Sequence, residues 1–475
     1  MARTRRLGLL VVASAAALTA LCLSSTTASS AATVTTTSGL AYSKGILNAT
    51  TPGTTGCGAD GHANADGEPA IEVARDNTLA LGSERGLGGG SDAWRQDQAV
   101  GGSGASACAV TYVGQPNGAA GLGPSGGDID VATGSSPAST GRYPVYVASL
   151  NGGSVSVAHS TDGGKTFTNI PVQAGLPVDD REWIAAFRDS TSLLTFHDAG
   201  TNNIDVLRSD DGGLTYHQIS QAIPATDYRS HDNELGNLAV DRRNLPMTAG
   251  PLGSPGFWAY QSFVAPASAP SPTRPSPLDN EAFLSTSFDG GYTWTIKGVP
   301  CSTGHGSLDH MFPNVSVNPS GTLWMAWSND VNVFTATSSD HGDSWTCSKA
   351  STNTGQAVMP WLEAGSTGVD LVYYASPTAP AKGTTQTWYV YFAQAGPAGG
   401  WTTPVRTVAV HTGSVCEEGA ACTTGRQLFD DFGVALDQSG WAHVAYSHDA
   451  PRLGGPGSYT GYWVQTAGTT VGYPN

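Results

Sequence analysis

The sequence predicts an all-β chain, folded as a single β-propeller of four-stranded antiparallel blades, with seven blades favoured over six. Three observations carry this. A turn-forming octapeptide recurs four times. A longer unit of roughly 45–60 residues can be traced seven times. No stretch sustains a helical period, while 61 glycines, 12 tryptophans and 16 tyrosines in 475 residues, with only 13% charged residues, suit many short strands joined by tight turns.

The octapeptide is Ser160-Thr161-Asp162-Gly163-Gly164-Lys165-Thr166-Phe167, and it returns at 209–216, at 287–294 and, less regularly, at 338–345. Each position has a local reason. The Ser and Asp side chains bond to nearby backbone in a tight turn, and glycine supplies the positive φ such a turn needs. The aromatic residue opens the next strand.

Around these turns, inner strands are expected at 69–74, 128–132, 183–187, 235–240, 313–317, 360–364 and 432–436. Middle strands follow each of them. Third strands are expected at 108–113, 155–159, 204–208, 282–285, 333–337, 388–392 and 462–465. Residues 33–63 form an extension that can lend a strand to close the ring, and 64–475 form the propeller. The Pro- and Ser-rich stretch 265–277 reads as a surface excursion from blade four.

The octapeptides resemble the Asp-box repeat of the sialidase-like β-propellers, and the whole chain beyond residue 32 is similar to secreted bacterial members of that superfamily. The resemblance implies that each box joins the third and fourth strands of a blade on the face away from the active site. Asp162, Asp211, Asp289 and Asp340 are then structural. The superfamily hosts sialidases, other glycosidases, lyases and binding proteins, so fold alone does not name an activity. A sialidase would show an Arg-Ile-Pro motif, three arginines gripping a carboxylate and a Tyr–Glu nucleophile pair. Arg-Ile-Pro does not occur here. Arg181, Arg229 and Arg426 are the candidates for the triad, with Arg85 or Arg95 as alternatives, and Tyr228 with Glu234 could imitate the pair.

Residues 1–32 read as a secretory leader: Arg3, Arg5 and Arg6, an apolar run through Leu23, and Ser30-Ala31-Ala32 as a cleavage site. The protein is therefore expected to be secreted and extracellular. The formal charge is −16, and loss of the leader arginines makes it more negative. Such a surface argues against nucleic acid or anionic membranes as partners, although a local basic pocket remains compatible with it. Six cysteines follow the leader, an even number that reads as disulfides in an exported chain. Nearest neighbours are the expected pairs: Cys57–Cys108, Cys301–Cys347 and Cys416–Cys422.

Function is expected at one mouth of the channel. The loops that lead into the inner strands carry Asp66, Glu68, Asp128, Asp179-Asp180-Arg181-Glu182, His231-Asp232-Asn233-Glu234, Asp309-His310 and Asp430-Asp431. Those after middle strands carry His197-Asp198, Asn329-Asp330 and His448-Asp449. So many acids in one place are unfavourable unless a proton, a cation or a metal relieves them. Paired carboxylates would serve glycoside cleavage. Asp232 or Glu234 is the expected acid/base and Asp180 or Asp431 its partner. Arg181 and His231 would orient substrate, with Arg229, Arg426, Asp309 and His310 around them and Trp183 or Trp361 stacking on a sugar ring. No cofactor is required; Ca²⁺ is an option, with Asp198, Asp330 and Asp449 as candidate ligands. The competing readings are loop acids that merely cap turns, and a non-catalytic propeller binding glycan or protein. The partner is an extracellular carbohydrate or glycoprotein, and the protein is expected to be a monomer.

Overall fold

The computed structural model describes residues 31–58, 64–86, 89–118, 127–150, 154–172, 179–247, 249–274, 277–352, 354–378, 386–417, 422, 428–449 and 457–475. Seven antiparallel sheets succeed one another along the chain, each running from an inner strand outward. The inner strands are Gly67–Val73, Ile129–Thr133, Asp179–Phe187, Glu234–Val240, Asn314–Val317, Gln356–Ala364 and Gly433–Leu436. The seven-bladed propeller expected from the sequence is the fold observed. Among the described residues the helical elements are four 3₁₀ turns of three or four residues, and no helix is long and apolar enough to cross a membrane.

Both faces of each blade are buried against neighbouring blades, so the strands read as near-continuous apolar runs. Trp94, Trp183, Trp324, Trp327, Trp388 and Trp463 are fully buried between the sheets. Stacked pairs such as Tyr374–Phe432, with centroids 3.9 Å apart, join blade six to blade seven. Blade six carries two outer segments, Gly399–Trp401 and Val405–Thr412, on the same third strand.

Blade seven is made from both chain ends. Ala41–Ile46 pairs with Tyr459–Ala467, and Ala32–Thr35 adds a fifth strand outside it. The leader itself, apart from Ala31 and Ala32, lies outside the described residues.

One strand assignment is corrected. The third strand of blade one is Ser91–Gln96; residues 107–109 are a 3₁₀ turn, and the fourth strand is Thr111–Gly114. Ser91–Gln96 looks too polar for a buried strand, but several of its polar groups find partners across the fold. Asp92 accepts from the Tyr112 hydroxyl at 2.8 Å, and Arg95 donates to the Gly163 carbonyl at 2.8 Å.

The four repeated turns share one hydrogen-bond pattern and each joins the third strand of its blade to the fourth. The Ser hydroxyl donates to the Asp carboxylate at 2.7–2.8 Å and accepts a glycine N–H at 2.8–2.9 Å. The same carboxylate accepts the Thr or Ser hydroxyl four residues on at 2.5–2.7 Å. Asp162, Asp211 and Asp340 are thus engaged as acceptors, and these bonds hold their pKa values below the usual carboxylate range against the opposing effect of burial. All three expected disulfides are present.

Candidate active site

The inner strands begin with an irregularity that positions the site. Glu68, Arg181, Met311, Phe312, Met359 and Phe429 all have φ between 42° and 58°. The pairing register of the inner strand slips after Gly67, Asp180, Leu235 and Val358. A bulge of this kind turns one side chain away from the alternation of its strand, and left-handed backbone at a non-glycine residue is held only by its surroundings. In blades one and three the left-handed residues are Glu68 and Arg181, and their side chains meet.

The first result is a buried ion cluster. Arg181 donates to Glu68 at 2.8 Å and also bonds Asp431, joining blades three, one and seven. Its backbone N–H donates to Asp128 at 3.0 Å. The guanidinium lies 3.7 Å from the centroid of Trp183, whose ring in turn meets Phe312 and Trp361. Burial opposes the Arg181 charge, but Asp431 and Glu68 together hold its pKa above the ordinary value. Burial raises Asp431 to about 7 despite Arg181, and lifts Glu68 and Glu182 well above the usual range.

The second result lies beside it and is more open. Glu234 keeps part of its surface at the mouth, while surrounding atoms crowd its carboxyl from the other sides. That crowding, and then the charges of Asp309, Asp180, Asp279 and Asp430, raise its pKa well above the ordinary carboxylic value. Asp279 is pushed up to about 7 by burial and by Asp309 and Asp232. Asp232 is raised by burial and by Asp309. Asp180 and Asp309 are exposed. A half-buried acid whose ionisation is opposed thus stands beside Asp180 and Asp309, which face solvent, the division of labour that acid/base chemistry uses.

On the flank, His310 bonds Glu417 at 2.9 Å, and Gln356 donates to Asp330 at 2.5 Å. Burial alone would lower the His310 pKa; Glu417 raises it instead. One donor atom from each of His310, Asp330 and Glu417 lies within 4.8 Å of the others, and the same holds for Glu68, Asp128 and Asp430. Either set could hold a divalent cation.

Several expected roles change on this geometry. Trp183 is fully buried under Arg181 and offers no face to a sugar; Trp361, partly exposed beside it, keeps that possibility. Arg181 is enclosed with its carboxylates, so it organises the mouth rather than gripping substrate. Arg229 chelates Asp227 through two bonds of 2.8 Å and packs over Phe283, and Tyr228 donates to the Pro266 carbonyl at 2.8 Å. Tyr228 is therefore committed elsewhere than to Glu234. His231 is exposed and bonds the Thr201 carbonyl at 3.0 Å. Asp198 caps its own turn through Gly200 and Thr201, and Asp449 bonds His411 at 2.5 Å. Of the three candidate metal ligands, Asp330 alone falls in a cation-competent group. Arg426 lies outside the described residues.

Glu417, Asp279 and Gln356 belong to this region but were not singled out in the sequence. Asp279 follows the Pro-rich excursion directly, and Glu417 follows Cys416 in a short disulfide loop. Both positions are marked by sequence as loop only.

No family model and no curated protein matches this chain. Solved structures do resemble it. The GH74 xyloglucanase from Xanthomonas campestris aligns at 12% identity and a TM-score of 0.49, covering 88% of this chain and 55% of that one. A polysaccharide lyase described as a PL25 ulvan lyase aligns at 9% identity and a TM-score of 0.48, covering 85% and 94%. A Dyadobacter fermentans protein of unknown function aligns at 11% identity and a TM-score of 0.43, covering 89% and 97%. The chain spans about half the length of the xyloglucanase. Likenesses at this level carry no assignment of activity.

Proposed function

We propose that this protein is an exported glycoside hydrolase acting on extracellular carbohydrate, with its reaction at the acidic mouth. The observation that supports this is Glu234: a carboxyl whose ionisation burial and four neighbouring acids oppose, yet open on one side to solvent. Glu234 is assigned as general acid and Asp180, exposed and close enough to raise Glu234, as partner carboxylate. In such chemistry the acid protonates the leaving glycosidic oxygen while the second carboxylate activates water or attacks the anomeric carbon. No cofactor is needed for either course. The substrate is a neutral or weakly charged saccharide, because the acids at this mouth repel polyanions.

The test is turnover of an aryl-glycoside and polysaccharide panel, including a sialoside, by purified protein, Glu234→Gln and Asp180→Asn. Turnover that falls by about 100-fold or more in Glu234→Gln supports the assignment. Turnover equal in all three proteins removes it from this site. Binding of saccharide without turnover on any substrate overturns the hydrolase reading in favour of a binding propeller.

A further inference from the structure

The opposite mouth of the channel has the opposite character. Where the inner strands begin with acids, three of them are followed by arginines: Arg75 after blade one, Arg188 after blade three, and Arg242 and Arg243 after blade four, with Ser135 after blade two. These residues and Asn244 line one pocket. In a chain of net charge −16 with 22 basic residues in all, four guanidinium groups in one concavity call for a reason.

Local acids account for only half of them. Arg242 pairs with Glu72, and Arg243 chelates Asp241, donating at 2.9 Å and 2.6 Å. Arg75 is exposed and has no hydrogen bond or ion pair among the described residues. Arg188, also exposed, donates to the neutral Asn244 at 2.6 Å and rests over the Phe187 ring at 5.0 Å. Arg188 sits at φ 59°, held by its N–H bond to the Ser135 hydroxyl at 2.8 Å. Burial and the nearby Arg242 charge both weaken the hold of Arg75 on its proton. Two cations without carboxylates therefore share a pocket with two more, and bringing them together costs free energy that an anion would offset.

We infer that this pocket binds a divalent tetrahedral oxyanion, sulfate or phosphate, either free or as an ester on a saccharide, with Arg75 and Arg188 supplying the unneutralised charge. Guanidinium forks match such oxygens in pairs, and Ser135 and Asn244 add neutral partners. The site lies at the other end of the channel from Glu234 and does not depend on the hydrolase reading.

The experiment is calorimetric titration of the full chain with sodium sulfate, with sodium phosphate and with dextran sulfate oligosaccharide, each at ionic strength fixed with sodium chloride. Arg75→Ala/Arg188→Ala, the milder Arg75→Gln/Arg188→Gln and Glu234→Gln are compared with the parent. Saturable binding of the inorganic ions that weakens at least about tenfold in both arginine variants and persists in Glu234→Gln supports the site with a free anion as its ligand. Binding of the oligosaccharide alone, lost in the same variants, supports it with the ester as ligand. Binding of neither probe by the parent, or binding that the arginine variants leave unchanged, overturns it.

Discussion

Arg181 of blade three donates to Glu68 of blade one at 2.8 Å, with both side chains almost wholly removed from solvent. This pair and Asp431 fix the relative positions of three blades at the acidic mouth. Removing the cation leaves two buried carboxylates without compensation. Arg181→Ala should destabilise the protein by about 3–5 kcal/mol, read by chemical denaturation. Arg181→Met, which leaves the same two acids unpaired but restores packing on Trp183, should recover only a small part of the loss.

Glu234 makes a prediction about pH and rate. As a general acid it works while protonated, so turnover should fall as pH rises through its elevated folded pKa. Burial opposes ionisation of Asp279 as well, at about 7. Asp279→Asn removes one of the charges that raise Glu234, and the alkaline limb of the profile should move to lower pH. An unmoved limb would show that Asp279 and Glu234 do not communicate.

Stability should also decline as pH rises. Asp370 and Glu363 are each raised to about 8 by burial, and Asp130 to about 7. Below about pH 3 these groups are protonated in both states and cost nothing. As pH climbs toward 8 the unfolded chain ionises while the folded one resists, so stability is lost across that window. Asp370→Asn keeps the acceptor for Gln394, which donates at 2.8 Å. It should stabilise the protein at pH 8, by at most about 5 kcal/mol, and leave it nearly unchanged at pH 3, measured by urea denaturation at both values.

The repeated turns predict equal and local effects. Asp289 accepts the Tyr292 and Thr293 N–H groups at 3.0 Å and the Thr293 hydroxyl at 2.7 Å. Asp289→Ala should cost about 1–2 kcal/mol, and Asp211→Ala about the same, with no change in any activity at the far mouth. A difference of several fold between the two would mean that the turns are not interchangeable units.

Gly236 predicts a larger loss from a smaller change. A Cβ built there would stand 1.9 Å from the Pro313 carbonyl oxygen and 2.4 Å from the Ser262 hydroxyl. Backbone at that distance cannot move aside cheaply, so Gly236→Ala should destabilise by more than about 1–3 kcal/mol, lowering the melting temperature, while Gly253→Ala serves as a control in open space with positive φ only.

What the sequence made legible was what is local. The Ser-x-Asp-x-Gly turns declare themselves because every bond in them spans two to four residues. Acids at the starts of inner strands were legible for a related reason: the repeat places those loops on one mouth. The fates of individual side chains were not. Trp183 is buried because Phe312 and Trp361, 129 and 178 residues later, close over it, and no spacing in the chain announces that. Arg181 and Arg229 look alike in sequence, yet one finds Glu68 and Asp431 and the other its own neighbour Asp227. The bulges that redirect Glu68 and Arg181 come from the way the blades meet, since neither residue favours left-handed backbone by itself. The strand Ser91–Gln96 was hidden because Asp92 and Arg95 find their partners, Tyr112 and the Gly163 carbonyl, only after folding.

Blade seven, woven from the two ends of the chain, has a consequence for the order of events. Tyr42, fully buried 5.2 Å from Trp463, belongs to a strand synthesised long before the one that carries its partner. A growing chain must therefore carry an unpaired strand through the assembly of six blades. The Cys57–Cys108 link tethers that strand to blade one in the meantime. The contact that makes the molecule circular spans most of the chain, and pairings of such range slow folding. A chain interrupted before its final strand would present two raw sheet edges in place of a closed ring, and would be more prone to join a neighbour than to fold alone.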